Sequence, residues 1–159
     1  MKVRWTLVAL GLLLLPAGLF ANPADDAMSK FDHAEYMRPA AEGQKKAGPA
    51  VKGTLVFDAQ KKAIEFLSKK GEPAFDIQYD AIKSILYEKT SHPHYASAIL
   101  ISPLFLLSSG KKHFLTIQYT GDGGAQKFVI VHLDKKNAQE AVATAEAQTG
   151  KQVQRSDDK

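Results

Sequence analysis

The chain has 159 residues, enough for one small domain once an export signal is removed. It contains no cysteine, which excludes disulfides, thiolate metal sites, a cysteine nucleophile and lipid attachment at an N-terminal cysteine. Net charge is +4, but Lys2 and Arg4 fall in the first 21 residues; the remaining 19 basic and 17 acidic residues leave +2, which is no nucleic-acid footprint.

Residues 1–21, MKVRWTLVALGLLLLPAGLFA, read as a signal peptide. Lys2 and Arg4 form its positive end, Thr6 to Phe20 its apolar run, and Ala21 the small residue at the cut. The run is short for a membrane span, which needs about 20 apolar residues. The protein is therefore expected to be exported, to a periplasm or the medium. Residues 22–52 are rich in Ala, Lys, Glu, Gly and Pro and poor in large apolar groups. They are read as a flexible linker, with at most a helical turn or two between Asp25 and Arg38.

The globular domain is expected over 53–153. Thr54–Phe57 and Ala63–Ser68 have strand composition and are separated by the polar turn at 58–62. A second turn, 69–73, contains Gly71 and Pro73. The stretch FDIQYDAIKSILYE, 75–88, alternates at Phe75, Ile77 and Tyr79 and then slips parity after Asp80. A one-residue slip sends later side chains to the wrong face unless a bend or bulge absorbs it. The expectation is two strands joined by a kink at Asp80–Ala81. Short strands with hairpin-length connections make an antiparallel meander.

The segment 89–112 is long for a connection in a compact domain, and such connections are often functional. It holds an apolar run, 99–107, cut by Pro103. His113–Thr120 alternates again, Gly121-Asp122-Gly123-Gly124 is a turn, and Lys127–Leu133 is the partner strand, apolar on both faces. A helix is expected from Asn137, with a capping box to Glu140, a shallow face of Ala138, Val142, Ala145 and Thr149, and a left-handed stop at Gly150. Residues 154–159 are read as a frayed tail.

This order of short antiparallel strands, long connection, hairpin and C-terminal helix resembles the pleckstrin-homology-like fold. The pieces that carry the likeness are GTLVFD, FDIQYDAIKSILYE, ISPLFLL, KKHFLTIQYT and ATAEAQTGK. They look most like small exported bacterial proteins of unknown function, of the kind found in Acidobacteria. The resemblance implies a mainly β domain: a bent antiparallel sheet or partly open barrel capped by the helix. It implies no particular activity, since one fold hosts many roles.

Candidate chemistry is sparse. His92, His94 and His113 are weak metal-ligand candidates, because imidazole suits zinc or copper but no carboxylate or cysteine completes a set. Ser91, His92 and Asp80 have the residue types of a hydrolase triad without a nucleophile elbow. The glycine-rich turn lacks the Lys-Ser/Thr ending of a phosphate loop. The run at 99–107 either completes the core or forms a contact surface. In the second case Leu104, Phe105, Leu106 and Leu107, flanked by Lys111 and Lys112, meet a membrane or partner protein. The reading is a non-catalytic binding or scaffolding module of the cell envelope with no cofactor, its partner an unknown protein or lipid surface and its oligomeric state open. A small histidine-based metal-binding protein or enzyme is the alternative, and a peripheral membrane-binding module a second one. N-terminal sequencing of the exported protein is expected to begin at Asn22; an intact Met1 chain in the membrane fraction would refute the signal.

Overall fold

The computed structural model describes residues 27–39, 47–95 and 110–157. The signal, 1–21, lies outside them. Eight strands and one helix follow in order: β1 Met28–Met37, β2 Val51–Asp58, β3 Ala63–Ser68, β4 Pro73–Gln78, β5 Ile82–Thr90, β6 Lys112–Thr120, β7 Gln126–Leu133, α1 Ala138–Thr149 and β8 Val153–Asp157. They form one sheet in the order β4-β3-β2-β1-β7-β6-β5-β8. All pairings are antiparallel except β5 with β8, so the sheet is mixed rather than purely antiparallel.

The sheet must be curled. β4 and β5 stand six places apart in it, which is about 29 Å across a flat sheet at ~4.8 Å per strand. They are joined through a single 3-10 turn, Tyr79–Ala81. The four Cα steps from Gln78 to Ile82 reach at most roughly 14 Å. The two ends of the sheet therefore come round toward each other, without closing, since β4 and β5 are not hydrogen-bonded neighbours. This is the kink expected at Asp80–Ala81, and the architecture is mainly β as expected: a bent, partly open sheet with one helix after its first seven strands.

Two bulges set which residues face inward. Phe31 pairs with Leu55 and Ala34 with Gly53, so β1 takes three steps where β2 takes two. The extra residue lets Phe31, Ala34 and Tyr36 all join the core. In the same way Ile82 pairs with Tyr119 but Ser84 with Gln118, and the bulge at Lys83 puts both Ile82 and Ile85 inside. The core between the inner faces holds Leu55, Phe57, Ile64, Phe66, Ile117 and Val131, all fully buried. Against it lies α1 through Ala138, Ala141, Val142 and Ala145. Small side chains let the helix axis approach closely, as the alanine-rich pattern implied.

Three sequence readings need correction. Residues 28–37 are not linker: they form β1, held between β2 and β7. Its ten residues bury only Phe31, Ala34, Tyr36 and Met37, so its apolar content is low, and it is backbone pairing to two strands that makes it part of the sheet. β2 likewise starts two residues before the expected domain boundary. Residues 154–157, read as part of a frayed tail, instead belong to β8, which is paired in parallel with β5 from Val153 to Asp157. Glu146 guides the chain there, accepting the Val153 N–H at 3.1 Å and pairing with Arg155 at 3.5 Å. Finally, Asn137 does not cap α1. It is already in the helical region, and its Nδ2 donates to the Asp32 carbonyl at 2.9 Å. Asp134 serves the helix start instead, its carbonyl accepting from Asn137 and Ala138, both at 3.0 Å, and its carboxylate from Lys136 N–H at 2.8 Å. Gly150 ends the helix at φ 65°, as expected.

The turn at Tyr79 is tied to the rest. Its hydroxyl donates to Gln148 on α1 at 2.7 Å, and Gln148 donates in turn to Ser29 of β1 at 3.2 Å. Burial first, and then Asp58, push the Tyr79 phenol up to about 12. Removing residues 22–50 is expected to abolish the cooperative unfolding transition, because it deletes β1 and leaves β4-β3-β2 and β7-β6-β5-β8 as separate ladders. A calorimetric scan checks this; an intact sharp transition would show that β1 is dispensable.

Candidate functional site

The bulge in β1 does more than keep parity. It places His33 at φ 58°, in the left-handed region that non-glycine residues rarely occupy. Such strain persists only where surrounding structure over-determines it, and it gathers at functional sites. Here Thr54 of β2 donates to the Asp32 carboxylate at 2.6 Å, and Asn137 donates to the Asp32 carbonyl. Both bonds hold the bulge from either side.

A cleft of roughly 360 Å³ opens over this point, lined by Asp32, His33, Glu35, Lys52, Thr54 and Lys69 with Ala34 and Gly53. Its floor is backbone. A Cβ on Gly53 would stand 1.9 Å from the Leu67 carbonyl oxygen and 2.8 Å from the Phe66 ring, so only glycine lets β2 and β3 meet there. Glu35 sits between Lys52, with Nζ at 3.6 Å, and the His132 imidazole, with Nδ1 at 3.4 Å. Among the described residues, His33 and Lys69 have no side-chain hydrogen bond or ion pair. The cleft thus presents one exposed imidazole and one exposed ammonium beside carboxylates already engaged.

Sequence reasoning missed Asp32, His33 and Glu35 because the stretch 22–52 was read as linker. A signal was present. Phe31, Ala34 and Tyr36 have the spacing of a strand interrupted by one extra residue, and that is the trace of a bulge.

The expected ligands do not assemble. His94 reaches the buried Glu88 carboxylate with its ring Nδ1, and its N–H also points to that carboxylate at 3.3 Å. His113 Nδ1 bonds the Tyr87 hydroxyl at 2.6 Å. Tyr87 and Glu88 are successive residues of one strand and so face opposite sides of the sheet. His94 is held on the outer face and His113 on the inner. His92 is exposed, with its N–H on Thr90 Oγ1 at 3.0 Å. No group of three metal-ligating side chains occurs among the described residues. Asp80 and Ser91 stand at opposite ends of β5, about 30 Å apart by strand rise, so the triad types do not meet. Leu104, Phe105, Leu106 and Leu107 lie outside the described residues. Lys111 and Lys112 lead into β6.

No family model and no curated protein matches the chain. Among solved structures it is similar to the Spt16D Pob3N heterodimer. That likeness has a TM-score of 0.48 and 9% identity, and covers 84% of this chain and 56% of that chain. This chain thus spans little more than half the length of that one.

His132 supplies a pH test. Burial lowers its pKa from the ordinary 6.5 and outweighs the opposing pull of Glu35, while Lys112 and His113 also lower it. The unfolded chain then takes up the proton more readily than the folded one. Stability is full above 6.5 and declines as pH falls below it toward the depressed folded value. Replacing His132 with Gln is expected to flatten that part of the stability profile, read from urea midpoints across the range. An unchanged slope would assign the acid sensitivity to other groups.

Proposed function

We propose that this protein is a non-catalytic binding module of the cell envelope that holds a polar partner in the cleft at the β1 bulge. One observation carries the reading: the strained His33 is fixed by two hydrogen bonds to its neighbour Asp32 and left with its own ring exposed beside Lys69. Strain kept at a surface position where nothing inside the fold uses the side chain supports a role toward something outside it. The mixed charge of the cleft suits a polar surface carrying both signs, with carboxylates or backbone carbonyls meeting His33 and Lys69. Export rests on the signal pattern of residues 1–21. In this reading the chain is one of the small exported bacterial proteins built on a single pleckstrin-homology-like domain.

The test pairs binding with stability. Immobilised mature protein and its His33→Ala/Lys69→Glu variant are exposed to the same envelope extract. Retention of a component by the wild type and its loss from the variant is expected. The melting temperature should hardly move, since surface changes of this kind fall within about 0.5 kcal/mol. Equal retention by both proteins would remove the cleft from the function.

A further inference from the structure

On the other half of the sheet, the bulge in β5 creates a second feature. Register sets Ser84, Gln118 and Phe128 side by side across β5, β6 and β7. The Ser84 hydroxyl donates to Gln118 Oε1 at 2.9 Å, which fixes that amide and leaves its NH2 group to donate outward. Phe128 and Tyr95 are both half-buried and their rings meet at 5.2 Å with planes 44° apart. Together they make a continuous aromatic surface. A groove of roughly 200 Å³ is bounded by this surface, by Gln118 and Gln126 and by Lys83; Tyr119 and Lys127 also border it but alternate with Gln118 and Phe128, so their side chains point to the other face of the sheet.

Each lysine is placed by the fold, Lys83 at the groove and Lys127 on the opposite face of the sheet. Lys83 is the extra residue of the β5 bulge, turned out of the ladder by it. Lys127 lies across Gly121, where a Cβ would come within 2.6 Å of its Cδ. Any other residue at 121 would push the lysine stem away. Among the described residues neither lysine has an ion pair. Burial, and after it Asp122, raise the Tyr119 phenol above its ordinary 10.0, so it remains a neutral hydroxyl.

We propose that this groove binds one acidic sugar ring, a pyranose carrying a carboxylate, such as a uronic acid unit. Each part answers one feature of such a ring. The apolar C–H face lies on Tyr95 and Phe128, as aromatic rings present a negative face to polarised C–H groups. Ring hydroxyls exchange hydrogen bonds with the amides of Gln118 and Gln126. The carboxylate meets Lys83. The volume is below that of drug-sized pockets and fits a single ring rather than a chain. The site is separate from the β1 cleft and does not depend on it.

Titration of the isotope-labelled mature protein with glucuronate, followed by amide NMR, tests the proposal. Glucose supplies the ring without the charge, and acetate the charge without the ring. Shifts are expected at Lys83, Gln118, Gln126 and Phe128, with glucuronate binding about tenfold tighter than glucose, or ~1.4 kcal/mol. Acetate should leave the aromatic signals unmoved. Lys83→Glu should erase the preference for glucuronate while the spectrum stays that of the folded protein. Tyr95→Ala should weaken both sugars. Poly-galacturonate shows whether a ring inside a polymer is accepted as well as the free acid. The proposal fails if glucuronate at about 10 mM shifts none of these residues. It fails equally if acetate reproduces the glucuronate shifts, which would reduce the site to simple charge attraction.

Discussion

The structure depends on one strand belonging to two halves of a sheet. β1 pairs with β2 along most of its length and with β7 only through Glu35, Tyr36 and Met37. The strand must therefore turn part-way along, and the extra residue at Asp32–His33 is where it turns. Bulges increase local twist and bend the strand that carries them. The tight corner at Tyr79–Ala81 sets the amount of curl required, because it forbids β4 and β5 from lying far apart. Corner and bulge are two ends of one geometric condition, and Gln148 on the helix is hydrogen-bonded to both regions.

Curling also explains why both candidate sites sit at bulges. A bulge frees one residue from the ladder and aims it away from both the core and its regular neighbours. On β1 that frees His33 beside Lys69; on β5 it frees Lys83 beside Gln118. The parity corrections keep Phe31, Ala34, Ile82 and Ile85 in the core. The same insertion that preserves packing thus exposes a polar group at a fixed point, on strands rigid enough to hold it.

Charges on the outer face are arranged with similar economy. Glu35 is shared by Lys52 and His132, and Glu88 is held by the His94 backbone and ring. Both carboxylates come from strands and both imidazoles from the outer side, so each histidine is occupied by a local acid. His94 is held by Glu88 on the outer face and His113 by Tyr87 on the inner one, and so the candidate histidines do not form a common centre.

The sequence by itself determined the elements whose side chains repeat with period two or stop at a glycine. The strands from Thr54 to Leu133, the corner at Asp80, the hairpin at Gly121–Gly124 and the helix stop at Gly150 were all legible, because apolar spacing and positive-φ positions leave local marks. It determined the fold class too, through the order of those elements. β1 and β8 were not legible. β8 joins β5 through backbone hydrogen bonds to a strand far away in sequence, which leave no mark on composition, and β1 carries only the interrupted spacing of Phe31, Ala34 and Tyr36 as its mark. The N-terminal duty of Asp134 and the diversion of Asn137 to Asp32 were hidden for the same reason, since the competing partner lies on β1. The cleft and the groove are products of register: whether Thr54 meets Asp32, or Gln118 meets Ser84 and Phe128, is decided only when strands from distant parts of the chain are laid side by side.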